Sequence, residues 1–271
     1  MGIETVGSWR QFDDAVAAAS GPAHAHSPLV FRGLPRSDYA NVSSLARLSG
    51  DFASLERHLI RNFRKYAHRE APGPTIWDWL SLAQHHGLPT RLLDWTYSPL
   101  VALHFASAAF AEDEGILWAV DVGRVHELLP GSLQRGLSGE GATVFTTELL
   151  AEYAGTLDAL EASAGESSFL LFFEPPSLDE RIVNQAAVLS AMSDPAHHVD
   201  EWLAEHSDCW CAWRIPADVK LEVRDRLDQA NITERVLLPG LDGLAAWLRR
   251  YYSPRGKDVR SEGAAMATGA P

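Results

Sequence analysis

The stretch Gln84-His85-His86-Gly87-Leu88-Pro89-Thr90-Arg91-Leu92-Leu93-Asp94-Trp95-Thr96-Tyr97-Ser98-Pro99 is the most chemically mixed part of the chain. Gly87-Leu88-Pro89 ends the helix before it, because proline disfavours helical geometry at the preceding residue. Ser98-Pro99 opens a helix from Leu100 to Ala111, with proline at a first-turn position. Between these marks the sequence reads as a rigid loop lining a pocket. Hydroxyls and amides orient a ligand, an aromatic stacks on it, and charges give polarity. His86 suits a general base or a donor to a diphosphate. Arg91 and Asp94, three residues apart, are placed to pair with each other.

Upstream, Leu29-Val30-Phe31 is a short apolar strand that stops at Arg32-Gly33. A glycine there lets backbone approach a ligand closely. The planar guanidinium of Arg32 suits phosphate or carboxylate, and equally an internal acid in the core. Val6 to Ala19, Asp51 to His68 and a segment capped by Thr75 carry helical patterns. Gly115 to Val122 is a buried strand, and Ser168 to Phe173 and Trp210 to Ile215 are further strands. Arg181 to Met192 reads as two strands with a turn near Gln185 to Ala187. Helices are expected over Ala217 to Gln229 and Leu241 to Tyr251, while 131 to about 168 reads as helices and loops. Short strands among uneven helices predict an α+β fold in one domain over residues 1–252, with a disordered tail over 253–271.

The composition, 46% hydrophobic and 22% charged over 271 residues, is that of a globular protein with a sizeable core. No apolar run approaches the ~20 residues that span a bilayer. No signal peptide is visible, so no membrane association and a cytoplasmic location are expected. A net charge of -13 argues against bulk affinity for nucleic acid. Arg57 to Arg69 is locally basic, and a solvated helix face explains it. The two cysteines, Cys209 and Cys211, are too close in sequence for a zinc knuckle and read as buried apolar residues of a strand.

Phe31-Arg32-Gly33, the block from Gln84 to Ala106 and Pro239-Gly240-Leu241-Asp242-Gly243-Leu244-Ala245 together resemble the FRG domain, which is named after that tripeptide. The similarity runs from about Val6 to Leu248. A more distant resemblance is to ADP-ribosyltransferases of the arginine-serine-glutamate type. Val30-Phe31-Arg32-Gly33 is similar to their first motif. Asp94-Trp95-Thr96 with Val101-Ala102-Leu103-His104-Phe105-Ala106 is similar to their second, with Thr96 at the serine position.

That resemblance implies a split β core flanked by helices and NAD as substrate. Arg32 would hold the diphosphate and Thr96 would orient the nicotinamide ribose. Trp95 or Tyr97 would stack on the ring. Gly33, His86, Thr90, Arg91, Asp94, Trp95 and Ser98 would complete the NAD site. The glutamate that stabilises the departing sugar cation is expected at Glu180, on a hairpin from Glu180 to Gln185, with Gln185 also facing the pocket. Glu234 is the second candidate, and the sequence lacks the usual Glu-x-Glu.

The leading expectation is an enzyme that transfers ADP-ribose from NAD to a macromolecular acceptor, or hydrolyses NAD, in a toxin or defence setting. The alternative is a non-catalytic module that binds a nucleotide or a nucleic-acid end. A metal-dependent nuclease or hydrolase built on His85, His86 and Asp94 is a third reading, and adjacent histidines rarely aim at one ion. No metal is expected.

Overall fold

The computed structural model describes residues 2–21, 29–48, 51–165 and 167–253. The expected tail after Ser253 lies outside the described residues. The strands are β1 (Ile3–Thr5), β2 (Leu29–Leu34), β3 (Leu92–Thr96), β4 (Gly115–Asp121), β5 (Phe145–Thr146), β6 (Leu170–Glu174), β7 (Ala187–Met192) and β8 (Trp210–Ile215). The first helices are α1 (Trp9–Ser20), α2 (Phe52–Tyr66), α3 (Ile76–His85), α4 (Pro99–Ser107), α5 (Val122–His126) and α6 (Gly131–Glu140). They continue as α7 (Thr147–Tyr153), α8 (Leu157–Ser163), α9 (Glu180–Asn184), α10 (Val199–Glu205), α11 (Ala217–Gln229), α12 (Glu234–Leu237) and α13 (Leu241–Tyr252). No helix among the described residues is long and apolar enough to cross a membrane.

The helix starts follow their capping residues. Asp51 accepts from Ser54 N ahead of α2, and Thr75 and Asp78 form a reciprocal capping box on α3. Ser98 caps α4 with Pro99 in the first turn.

All strands join one sheet in the order β1-β8-β4-β2-β3-β7-β6-β5, antiparallel except at its two outer pairs. The α+β expectation holds, and the sheet is continuous. Its weakest joint is central. β2 pairs with β4 over six positions, and β3 with β7 over five, but β2 meets β3 only at Phe31 and Thr96. The expected split is therefore a local opening of one sheet beyond a single bridge.

Strand alternation assigns the cores. Leu29 and Phe31 pack with α1, α4 and α11, while Leu92, Leu189 and Phe173 pack with α3, α7 and α8 on the same face. Val30, Leu93, Trp95 and Phe172 point to the opposite face, against α5 and α10. One face thus carries two separate helical layers, and the gap between them lies over β3.

Two expectations are corrected here. Leu92 to Thr96 is a central strand, not a loop, because Leu92, Leu93 and Trp95 are buried on both faces of the sheet. Glu180 to Asn184 is a helix, not a strand. Asp179 caps it, accepting from Ile182 N at 3.1 Å, and Gln185 N closes the turn on Arg181 O at 3.0 Å. Cys209 ends a 3₁₀ turn before β8 and Cys211 lies on the strand, both as free thiols pushed up to about 11 by burial.

Arg91 ties the α3 layer together. Its side chain is fully buried, with Nε donating to Glu56 Oε2 (2.6 Å), Nη1 to Ser193 O (3.1 Å) and Nη2 to Glu161 Oε1 (2.7 Å). The expected Arg91–Asp94 pair does not form, because a strand turns their side chains to different surroundings. Removing one partner of a buried pair strands the other charge. Glu56→Ala should therefore lower unfolding free energy by about 3–5 kcal/mol in urea titrations. Asp94→Ala should cost under about 1 kcal/mol, and comparable losses in the two variants would refute this assignment.

Two buried histidines must stay neutral. His126 Nδ1 donates to Thr143 O at 2.8 Å while Nε2 accepts from Phe172 N at 2.9 Å. His104 Nδ1 accepts from Arg224 Nη1 at 2.8 Å. Burial pulls both down to about 4, helped at His104 by the Arg224 charge. The unfolded chain takes up these protons first, so stability is present above about 6.5 and is lost as pH falls towards about 4. Urea titrations should show a loss of roughly 1.4 kcal/mol per pH unit per histidine across that window. His126→Gln should remove one share, and a pH-independent midpoint would refute the neutral imidazoles.

Candidate functional site

The central opening of the sheet is built by Gly33 and α4. A Cβ at Gly33 would overlap the carbonyl oxygen of Ala102 and crowd Ala106 N, so α4 lies with its backbone directly on β2. Only a glycine permits that approach. A Cβ at Gly115 would likewise run into the Ala106 carbonyl.

Arg32 fills the space where β2 and β3 part. Its Nη1 donates to the Asp94 carbonyl oxygen at 2.6 Å and its Nε to Asn41 Oδ1 at 3.1 Å. Asn41 is held in turn by Asp200 on α10, through its backbone N (2.6 Å) and Nδ2 (2.9 Å). Burial draws the Arg32 pKa down from the ordinary arginine value, opposed by the charge of Asp94. Its guanidinium stays cationic, as arginine does in proteins. Nη2 has no hydrogen-bond partner among the described residues.

Asp94 presents its carboxylate to solvent on the face between the helical layers. Gln84 Nε2 donates to Oδ2 at 2.9 Å, and Thr90 Oγ1 donates to Gln84 Oε1 at 2.6 Å. Thr90 therefore orients the site through Gln84. Thr96 Oγ1 donates to the Gln185 carbonyl at 2.6 Å and accepts from Ser98 N at 3.0 Å. Both of its roles are taken up in joining β3, α4 and α9. Gln185 Nε2 donates to Leu237 O at 2.8 Å, fastening α9 to α12.

These groups border a cleft of about 380 Å³ with Arg32, Asp94, Thr96, Arg181 and Gln185 as its polar lining and Phe31, Val101 and Phe105 as apolar wall. A smaller compartment of about 60 Å³ shares Asp94, Arg181 and Gln185 and adds Gln84 and His85 from α3. His85 Nε2 lies 2.7 Å from Asp179 Oδ2. Burial lowers the His85 pKa, the Asp179 charge opposes this, and Arg181 and His86 add to the lowering.

Of the residues expected at the site, Arg32, Gly33, Asp94, Thr96 and Gln185 line the cleft together. Trp95 borders it, but its indole lies in the opposite core, donating to Ser190 Oγ at 2.8 Å and meeting Phe172 edge-on. Strand alternation puts it there, so it cannot stack on a ligand. Tyr97 is tied to Glu174 at 2.8 Å. Arg91 is enclosed in the α3 layer, and Ser98 serves as the α4 cap. His86 is exposed at the end of α3 with its ring against Phe63.

Neither glutamate candidate reaches the cleft. Glu180 is exposed in the first turn of α9, away from the lining. Glu234 is locked by Arg224 Nη2 (2.8 Å) and Arg250 Nε (2.7 Å). Burial raises its pKa, yet the hydrogen bonds from Arg250 and the Arg224 charge hold it at about 2. Among the described residues no group of three His, Cys, Asp or Glu is arranged to hold a metal ion. His85 and His86 meet edge to face, with ring centroids 5.2 Å apart and planes at 85°.

Arg181 and Phe105 were missed. Both were open to a periodicity argument: Arg181 precedes Gln185 by four residues and Phe105 follows Val101 by four, so each pair shares a helix face.

Residues 27–114 match the family model of the FRG domain. No curated protein and no solved structure matches the chain. The matched interval contributes β2, β3 and α4, and with them Arg32, Asp94, Thr96 and the apolar wall, whereas Arg181 and Gln185 come from beyond it. Residues 27–114 thus carry the FRG-domain match, and its Phe31-Arg32-Gly33 tripeptide lies at the heart of the cleft.

Proposed function

We propose that the cleft takes NAD and that the protein is an NAD-consuming ADP-ribosyltransferase, passing ADP-ribose to a macromolecular acceptor or to water. The observation that carries this reading is one solvent-facing carboxylate, Asp94, bordering the same apolar-walled cleft as two arginines, Arg32 and Arg181.

Two planar cations suit a diphosphate, which both can grip by charge-assisted hydrogen bonds. Arg181 is exposed and has no ion-pair partner among the described residues, so its charge is available. Phe105 with Val101 offers the flat apolar surface that a nicotinamide or adenine ring needs. Breaking the bond between the ribose C1′ and nicotinamide builds positive charge on the sugar. A fixed carboxylate nearby stabilises that charge, as in glycoside cleavage. Asp94 takes this part in place of Glu180, held in orientation by Gln84. Thr96 acts by fixing Gln185 and α9, because its hydroxyl is already engaged. That engagement is what favours the second reading, a module that binds a nucleotide in the same cleft without turnover.

NAD labelled on its adenine moiety, incubated with the purified protein, tests both. Wild type should release nicotinamide and be protected against thermal unfolding. Asp94→Asn should keep the protection and lose about 100-fold or more in release. Arg181→Ala should weaken NAD binding about 10-fold. Protection without release in wild type would leave the binding module, and neither protection nor release would remove NAD from the cleft.

A further inference from the structure

The small compartment lies on the α3 side of Asp94, and the main cleft lies on the α4 side. Asp94, Arg181 and Gln185 line both. The smaller one also holds a histidine already fixed by a carboxylate, His85 with Asp179. We infer that this compartment is the acceptor side of the site and that His85, oriented by Asp179, is the general base that takes the proton from an incoming hydroxyl. The inference rests on the NAD reading and adds to it the chemical class of the acceptor.

The geometry supports it in three ways. Asp179 Oδ1 caps α9 by accepting from Ile182 N at 3.1 Å, while Oδ2 faces His85 Nε2 at 2.7 Å, so the carboxylate is anchored before it holds the ring. A carboxylate acceptor fixes the proton on Nε2, which leaves Nδ1 bare to take another. Nδ1 makes no hydrogen bond to another described residue. Finally, His85 lines the same compartment as Asp94, the carboxylate assigned to the sugar cation, so a hydroxyl beside the histidine is also close to that carboxylate.

The charges facing His85 are Asp179 and Arg181 at the start of α9, Asp94 on β3 and His86 on its own helix. Burial keeps its pKa below the ordinary histidine value, so the ring is neutral at neutral pH and ready to act as a base. In the step, the bond from C1′ to the nicotinamide nitrogen breaks and its electron pair leaves with nicotinamide, which becomes neutral. The hydroxyl oxygen forms the new bond to C1′, and its proton passes to His85 Nδ1. Water gives ADP-ribose by this route, and an alcohol gives its ADP-ribosyl glycoside.

The contrary reading is that His85 and Asp179 merely tether α3 to α9. The full chain, incubated with NAD in buffer containing methanol from pH 5 to 8, separates the two. Wild type should form ADP-ribose and the methyl glycoside together, with a rate that rises with pH along an acidic limb and then levels. His85→Ala should lose about 100-fold in both products, keep NAD affinity within about threefold, and recover part of its rate with added imidazole. Asp179→Asn should move the limb to lower pH, since it removes the charge that raises the His85 pKa. A His85→Ala enzyme with the wild-type rate and pH profile would overturn the inference while leaving the NAD reading intact. So would a rate loss that comes with lost NAD binding and no imidazole rescue, which marks a tether. Wild type that releases no nicotinamide would remove both.

Discussion

β2 and β3 touch at one backbone pairing, Phe31 with Thr96, and the remaining architecture is arranged around the space this leaves. Two neighbouring strands in a sheet normally satisfy each other's backbone groups along their whole shared length. Here the ladder stops, and a side chain substitutes for it. Arg32 delivers a guanidinium N–H to the Asp94 carbonyl at 2.6 Å, so a backbone acceptor that has lost its strand partner gains a charged donor. Asn41 and Asp200 then hold the arginine from the opposite face.

The opening is affordable only because each side of it is stable in its own right. β2, β4 and β8 carry one apolar layer under α1, α4 and α11, and β3, β7 and β6 carry another under α3, α7 and α8. Glycine at 33 and 115 brings α4 onto the first side, and the buried Arg91 with Glu56 and Glu161 braces the second. A third core on the far face, centred on Val30, Trp95 and Phe172, spans the joint. The polar groups of the cleft therefore occupy a gap between rigid layers, which is where orienting side chains lose least to motion.

Local signals in the sequence were reliable where local physics decides. Asp51, Thr75 and Ser98-Pro99 start helices as their capping chemistry requires, and the apolar run from Gly115 to Asp121 is a central strand. The cleft residues Arg32, Gly33, Asp94, Thr96 and Gln185 could be picked out for their chemistry. What stayed hidden depends on contacts distant in sequence. Leu92 to Thr96 looked like a loop because Asp94 and Thr96 interrupt its apolar pattern, and only the gap between layers makes them tolerable. Arg91 found Glu56 and Glu161, far along the chain in both directions, before its neighbour Asp94. Glu180 to Asn184 carries isoleucine and valine, yet the Asp179 cap outweighs their strand preference in so short a segment.

The arginine at the joint also ties occupancy to cohesion. Any anion that engages Arg32 draws on the same guanidinium that closes β2 against β3, so a bound ligand would load both halves of the sheet at once. Calorimetry on such a protein would record binding not as a local tightening of a loop but as one sharper, more cooperative melting of the whole domain. The arginine would then be both the grip on the ligand and the clasp between two strands whose ladder is a single backbone pair.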